Sequence, residues 1–191
     1  MNVAVMVSGR GSNLRALVSA YDDGRLDPAT SRIALVLSNV ADAPALAFAE
    51  FRGLPTQVIP HGRDRHAFEA AVDEALRTHA VDLVVLAGFM RLLSPGFVAR
   101  WSGRIINVHP SLLPSFRGLH AQRQALEAGV TIAGCTVHHV DAGTDTGPIL
   151  AQAAVPVLPN DTEETLSARI LVEEHRLLPL VVGQLVQARH D

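Results

Sequence analysis

Asn107 and His109 stand on either side of Val108 at the end of an apolar run. Alternation along a strand puts both side chains on one face, with Cα atoms ~6.5–7 Å apart. An amide N–H and an imidazole or imidazolium N–H aimed at one point can receive a carbonyl oxygen that turns negative during acyl transfer. The imidazole also titrates near neutral pH and can move protons, provided a carboxylate sets its orientation and charge. Asp145 is the candidate carboxylate, carried by Asp141-Ala142-Gly143-Thr144-Asp145-Thr146-Gly147, a glycine-bearing loop that follows another strand. Each residue alone has an ordinary explanation, since histidines bond at strand ends and aspartate beside glycine forms turns. The expectation rests on the combination. His61, His66, His79, His120, His138, His139, His175 and His190 show no ligand spacing, and His138 and His139 point to opposite faces of one strand. No metal site is expected, and Cys135 reads as a small buried hydrophobe.

A second candidate is the run Gly9-Arg10-Gly11-Ser12-Asn13-Leu14, which follows a strand and opens a helix. Free amides at a helix N-terminus, with the Ser12 hydroxyl, suit one phosphate group, and Arg10 adds positive charge nearby. The run does not fit a dinucleotide: Leu14 replaces the third glycine, and Ser38-Asn39 stands where an acidic ribose ligand should end the second strand. It also lacks the Gly-Lys-Ser/Thr ending of a nucleoside-triphosphate loop. A tight turn without a ligand is the competing explanation.

These residues need elements to carry them. Apolar patterning predicts strands at 2–7, 33–37, 56–59, 83–87 and 105–108. Helices alternate with them: one begins after the glycine turn, with Leu14, Leu17, Val18 and Tyr21 at helical spacing. Another is opened by Asp42-Ala43-Pro44 and closed by Gly53, and a third runs over 64–78. Strand and helix in alternation imply a doubly wound α/β fold with a mostly parallel sheet and ligands at the strands' carboxyl ends. Later come a helix over 121–128, strands at 135–140 and 149–157 expected to run antiparallel, and a last helix capped by Asp161 and Thr162 with a kink at Pro179. Spacing alone places Phe89 and Met90 in the core.

Composition narrows the functional classes. The 191 residues suit one domain spanning 1–191, and 48% apolar against 18% charged residues is the balance of a sheet buried on both faces. With 16 Lys+Arg against 19 Asp+Glu there is no basic field to attract nucleic acid or anionic lipid. One cysteine excludes an intramolecular disulfide framework. The longest apolar run, 83–90, is far short of the ~18 residues read as a membrane span, and the N-terminus has no basic segment before an apolar one. A cytoplasmic monomer or homodimer is expected.

The stretch Asn107-Val108-His109-Pro110-Ser111-Leu112-Leu113-Pro114, continuing through Gly118-Leu119-His120 to Gln124-Ala125-Leu126, resembles the glycinamide ribonucleotide formyltransferase family. The likeness covers essentially the whole chain, with Ser8-Gly9 and Gly11-Ser12-Asn13 at the start, Ala87-Gly88-Phe89-Met90-Arg91-Leu92-Leu93-Ser94-Pro95 in the middle, and Asp145 with Gly147-Pro148 later. It implies a Rossmann-like formyltransferase fold. The implied activity is direct attack by the glycyl amine of 5'-phosphoribosylglycinamide on the formyl group of 10-formyltetrahydrofolate, in de novo purine biosynthesis. That folate is a cosubstrate, and no metal is required.

By the same resemblance Asn107, His109 and Asp145 form the catalytic set, Gly11, Ser12 and Asn13 hold the substrate phosphate, and Glu174 contacts its ribose. Folate is placed near Arg65, Met90, Arg91, Leu92, Leu93, Val140 and Asp141. Without the resemblance, Arg65 and Glu174 are ordinary helix charges. Phe116-Arg117-Gly118 departs from the family's pattern and is similar to the Arg-Gly of methionyl-tRNA formyltransferases. Two rivals stand beside this reading: a formyltetrahydrofolate deformylase, with water as acceptor, and a non-catalytic sensor of phosphoribose or folate. The deformylases usually carry an extra N-terminal domain, for which a first strand beginning at Asn2 leaves no room, and a transfer-RNA enzyme needs a further domain and a basic surface.

Overall fold

The computed structural model describes residues 1–189, so His190 lies outside the described part. Seven strands form one sheet in the order β3-β2-β1-β4-β5-β6-β7. They are β1 (Asn2–Val7), β2 (Arg32–Ser38), β3 (Thr56–Val58), β4 (Leu83–Leu86), β5 (Ile105–His109), β6 (Ile132–His139) and β7 (Ile149–Pro156). The helices are α1 (Ser12–Asp22), α2 (Pro44–Phe51), α3 (Arg65–Thr78), α4 (Pro95–Arg100), α5 (Ala121–Glu127) and α6 (Glu163–Gln187). β1 to β5 pair in parallel, whereas β5–β6 and β6–β7 are antiparallel. The α/β expectation and its reversal near the C-terminus are both met.

The sheet is covered on both faces, which is why its central strands read as unbroken apolar runs. In β1, Val3, Val5 and Val7 face a layer built from α1, α2, α5 and α6, while Ala4 and Met6 face α3 and α4. The chain reverses its order of strand addition between β1 and β4, so the loops leaving these two strands open a crevice at their carboxyl ends.

Several boundaries differ from the expectation for local reasons. Ala43, not Asp42, holds the cap position of α2 and makes no side-chain bond to it. Thr162 caps α6 in a reciprocal box with Thr165, while Asp161 is drawn away to Arg169 at 2.6 Å. Helix α4 was not expected: six residues are too few for periodicity, although Ser94-Pro95 supplies a start signal, the Ser94 hydroxyl accepting from Phe97 N–H. β6 begins at Ile132, three residues before the apolar run that suggested it. Phe89 is buried and stacks on Phe68, but Met90 is 68% exposed. The chain turns after β4 through Gly88 at φ 74°, ending the alternation on which a core Met90 depended.

Candidate active site

A cleft of about 540 Å³ opens at the carboxyl ends of β4 and β5. Asn107 and His109 form its floor from β5, and the loop after β6 brings Asp145 over them. The wall is mostly apolar, made by loop 88–93 on one side and loop 140–145 on the other. Met90, Arg91, Leu92, Leu93, Val140 and Asp141 all line it. Arg65 does not: it is the first residue of α3, exposed, and outside the cleft lining. A larger depression of about 920 Å³ lies between α3 and α4. Two of its three acidic side chains, Glu69 and Asp73, are already engaged within the protein. Glu69 accepts from Ser94 N–H and hydroxyl, and Asp73 accepts from Trp101 Nε1 and Arg77.

Both ring nitrogens of His109 face acceptors. Nδ1 lies 3.4 Å from Asp145 Oδ2, and Nε2 is 2.9 Å from the Phe116 carbonyl. Only the imidazolium satisfies both together, because a neutral ring turns one lone pair toward an oxygen. Asp145 Oδ2 also accepts from Gly118 N–H at 2.9 Å, so one carboxylate ties the 114–120 loop to the histidine. Burial pushes the Asp145 carboxyl upward, but the Gly118 N–H and the charge of His109 outweigh it and hold the group below the ordinary range. The amide expected to share the floor with His109 has a further neighbour. Asn107 Nδ2 lies 3.3 Å from His138 Nε2, which is itself 3.6 Å from Asp145 Oδ1.

Backbone strain concentrates here. Of the four non-glycine residues with positive φ among the described residues, two, His120 and Asp145, line the cleft, and a third, Phe116, bonds His109 through its carbonyl. Such conformations cost about 1–3 kcal/mol each and persist where surrounding contacts over-determine them. Around Asp145 those contacts are visible. Asp141 Oδ1 accepts from Gly143 N–H and the Thr146 hydroxyl, and a Cβ on Gly147 would stand 1.9 Å from the His139 carbonyl. Asp141 thus shapes the loop with its carboxylate as well as lining the cleft.

The glycine turn leaves β1 beside this cleft and is tied to it. The Ser8 hydroxyl donates to Asn39 Oδ1 at 2.6 Å and accepts from Met90 N–H at 2.9 Å. Gly11 caps α1 at φ 72°, and a Cβ there would lie 2.5 Å from Ala45 Cβ, so α2 packs directly against the turn. Asn13 and Glu174, 161 residues apart, are joined by a buried bond from Asn13 Nδ2 to Glu174 Oε2 at 2.8 Å. One of the two Asn13 Nδ2 hydrogens is therefore used, and its Oδ1 has no partner. Donors for an anion at this turn are the first backbone amides of α1 and the Ser12 hydroxyl. Burial raises the pKa of Glu174, while the bond from Asn13 pulls the other way.

His138 is the member of the site that sequence reasoning missed. It was judged only as a metal ligand, and its pairing opposite Asn107 depends on the register of β6 against β5. That register is unreadable across the long intervening connection. Among the described residues no group of three or more His, Cys, Asp or Glu could hold a metal ion.

The doubly wound sheet thus brings an amide, an imidazole and a carboxylate together at its strand ends, a donor set that suits a carbonyl oxygen gaining negative charge. Residues 1–182 match the family described as Formyl transferase. The chain is 41% identical to phosphoribosylglycinamide formyltransferase of Escherichia coli (strain K12), over 99% of this chain and 89% of that one. It is 48% identical to the trifunctional purine biosynthetic protein adenosine-3 of Homo sapiens over 96% of this chain, yet spans only 18% of that protein's length. The structure of glycinamide ribonucleotide transformylase 1 from Symbiobacterium toebii matches with a TM-score of 0.94 at 47% identity, covering 99% and 89% of the two chains. A formyltetrahydrofolate deformylase from Pseudomonas syringae pv. tomato matches at 0.90 and 30% identity, with 62% of its chain covered. The chain belongs to the formyl transferase family.

Proposed function

We propose that this protein transfers the formyl group of 10-formyltetrahydrofolate to the glycyl amine of 5'-phosphoribosylglycinamide, a step of de novo purine biosynthesis. The observation that carries the reading is the convergence of Asn107, His109 and Asp145 on the floor of an apolar-walled cleft. The amine nitrogen attacks the formyl carbon, a C–N bond forms, and the carbonyl electrons move onto oxygen. The Asn107 N–H donates to that oxyanion, and the His109 imidazolium supplies positive charge beside it. Direct donation from His109 Nε2 requires giving up its bond to the Phe116 carbonyl. The tetrahedral species collapses by breaking the bond to the folate nitrogen, with the amine's proton passing by way of Asp145 to the leaving group. No covalent enzyme intermediate is needed.

In this reading the amides at Gly11, Ser12 and Asn13 and the Ser12 hydroxyl bind the phosphate, Glu174 accepts from the ribose hydroxyls, and loops 88–93 and 140–145 hold the folate. Arg65, outside the cleft lining, stands near the folate. We further infer that residues 1–191 act as one domain in the cytoplasm, as a monomer or homodimer, without a metal. No helix among the described residues is long and apolar enough to cross a membrane.

The test is the absorbance change on loss of the formyl group from 10-formyl-dideazafolate, with and without the ribonucleotide amine. Amine-dependent release is expected. Equal release without amine marks a deformylase, and tight binding of both ligands without release marks a sensor. Asn107→Ala should lower single-turnover transfer by about 10²–10³ through loss of one oxyanion donor, and near-normal chemistry in that variant refutes the assignment.

A further inference from the structure

His138 lies opposite Asn107 in the antiparallel register of β5 and β6 and is 2% exposed. Its Nδ1 is 2.8 Å from the carbonyl of His139. A carbonyl only accepts, so Nδ1 carries the hydrogen, and in the neutral ring Nε2 is a bare lone pair. Two groups approach that lone pair and ask for opposite things. Asn107 Nδ2, at 3.3 Å, is a donor and needs an acceptor; Asp145 Oδ1, at 3.6 Å, is an acceptor and needs a proton.

Charge balance decides between them. The ionisable groups facing His138 are Asp145 and, across that carboxylate, His109 of β5, while the residue paired with His138 on β7, Ile149, is apolar. The single negative charge of Asp145 is already met by His109, whose two ring nitrogens both face acceptors, and by the Gly118 N–H. A second imidazolium on the same carboxylate would leave net positive charge in a buried pocket, which desolvation opposes.

We propose that neutral His138, held as its Nδ1–H tautomer by the His139 carbonyl, is a positioning residue that sets the orientation of the Asn107 amide. An unrestrained carboxamide turns its oxygen as readily as its nitrogen toward a ligand. The oxygen would repel a developing oxyanion. With one Nδ2 hydrogen given to His138 Nε2, the amide nitrogen is anchored and the second hydrogen is left for the reacting oxygen. The inference rests on the formyl-transfer reading for its catalytic meaning, though not for the contact itself.

The test combines long-range ¹H–¹⁵N spectra of the histidine rings in the full chain with transfer kinetics of wild type, His138→Phe and His138→Gln. The His138 ring should show a protonated Nδ1 and an unprotonated Nε2 at neutral pH, and the Asn107 side-chain amide resonances should shift in His138→Phe. That variant should lose about 10–100-fold in kcat, less than outright removal of an oxyanion donor, with KM for both substrates within about twofold. Glutamine, whose Oε1 can accept from the same amide, should restore most of the rate. An Nε2–H or doubly protonated ring overturns the proposal, as does wild-type kcat in His138→Phe or an equal loss in folded Phe and Gln variants. Absence of amine-dependent transfer by the wild type is a separate failure. It removes the functional reading, while the ring spectra and the Asn107 resonances still decide the contact.

Discussion

Gly11 and Gly9 sit two residues apart in one turn, yet adding a methyl group to each should have very different consequences. At Gly11 the backbone is left-handed, φ 72°, and the new Cβ would meet Ala45 Cβ at 2.5 Å and Ala45 Cα at 3.2 Å. The left-handed conformation costs a non-glycine residue about 1–2 kcal/mol. Forcing a methyl group into a packed contact costs about 1–3 kcal/mol more. Against this, alanine removes about 0.4–1 kcal/mol of chain entropy from the unfolded state. The net loss for Gly11→Ala centres near 3 kcal/mol, a fall of ~6–12 °C in Tm for a chain of this size. Gly9 has nothing within 4 Å of its Cβ position and no positive φ, so Gly9→Ala should stay within about 0.5 kcal/mol of wild type. The clash cannot relax freely, because Ala45 N–H donates to the Gly9 carbonyl at 3.2 Å and docks α2 on this turn. Urea unfolding of both variants, with Ala45→Gly completing a double-mutant cycle, isolates the steric part as a coupling of at least about 1 kcal/mol. If Gly11→Ala unfolds with Gly9→Ala, or the cycle shows no coupling, the packing explanation of this turn is wrong.

The remaining predictions concern ionisation and capping. Because burial raises the Glu174 pKa, its ionised form costs the folded state stability only as pH rises above the unfolded value near ~4.3. Glu174→Gln should therefore gain on wild type in urea midpoints as pH rises above about 4 while weakening ribonucleotide binding; a difference independent of pH contradicts the assignment. Asp145 behaves oppositely. Its lowered pKa means that the ionised carboxylate stabilises the fold in full above about pH 4 and that this is lost as pH falls through the folded value. The deficit of Asp145→Asn should accordingly shrink toward low pH, and a deficit that grows there refutes the sign. Asp64 caps α3 by accepting from His66 and Ala67 N–H, so Asp64→Ala should cost about 0.5–2 kcal/mol in thermal melts without changing kcat.

What could be read from the residues followed the range of the forces involved. Alternation put Asn107 and His109 on one face, a relation of neighbours that needs no tertiary information. The apolar run of β4 announced a central strand because both of its faces are buried. Asp145 was assigned to the site by its loop, although its left-handed backbone was not foreseen, since φ 52° at an aspartate is held by contacts with Gly118 and His109 that come from distant positions. The Asn13–Glu174 bond shows the same limit. Each residue was named separately for phosphate and ribose, but only the packing of α6 against α1 reveals that one Asn13 N–H is given to Glu174, leaving Glu174 Oε1 for a ligand.

The parallel-to-antiparallel reversal at β5 explains why this scaffold can place so many polar groups at one strand end. In a wholly parallel sheet the chain leaving the neighbour of β5 would pass into a crossover helix on one face of the sheet and would not turn back across the end of β5. Running β6 the other way puts its last residues, Thr136 to His139, against residues 106–109 of β5, and the chain then leaves as the loop carrying Asp145. Strand end and loop therefore arrive together: His138 meets Asn107 from within the sheet, and Asp145, seven residues later, meets His109 from above it. Lengthening the 141–147 loop by one residue should separate these two contacts, leaving His138 in register while moving Asp145 off His109. Transfer should then fall far more than stability.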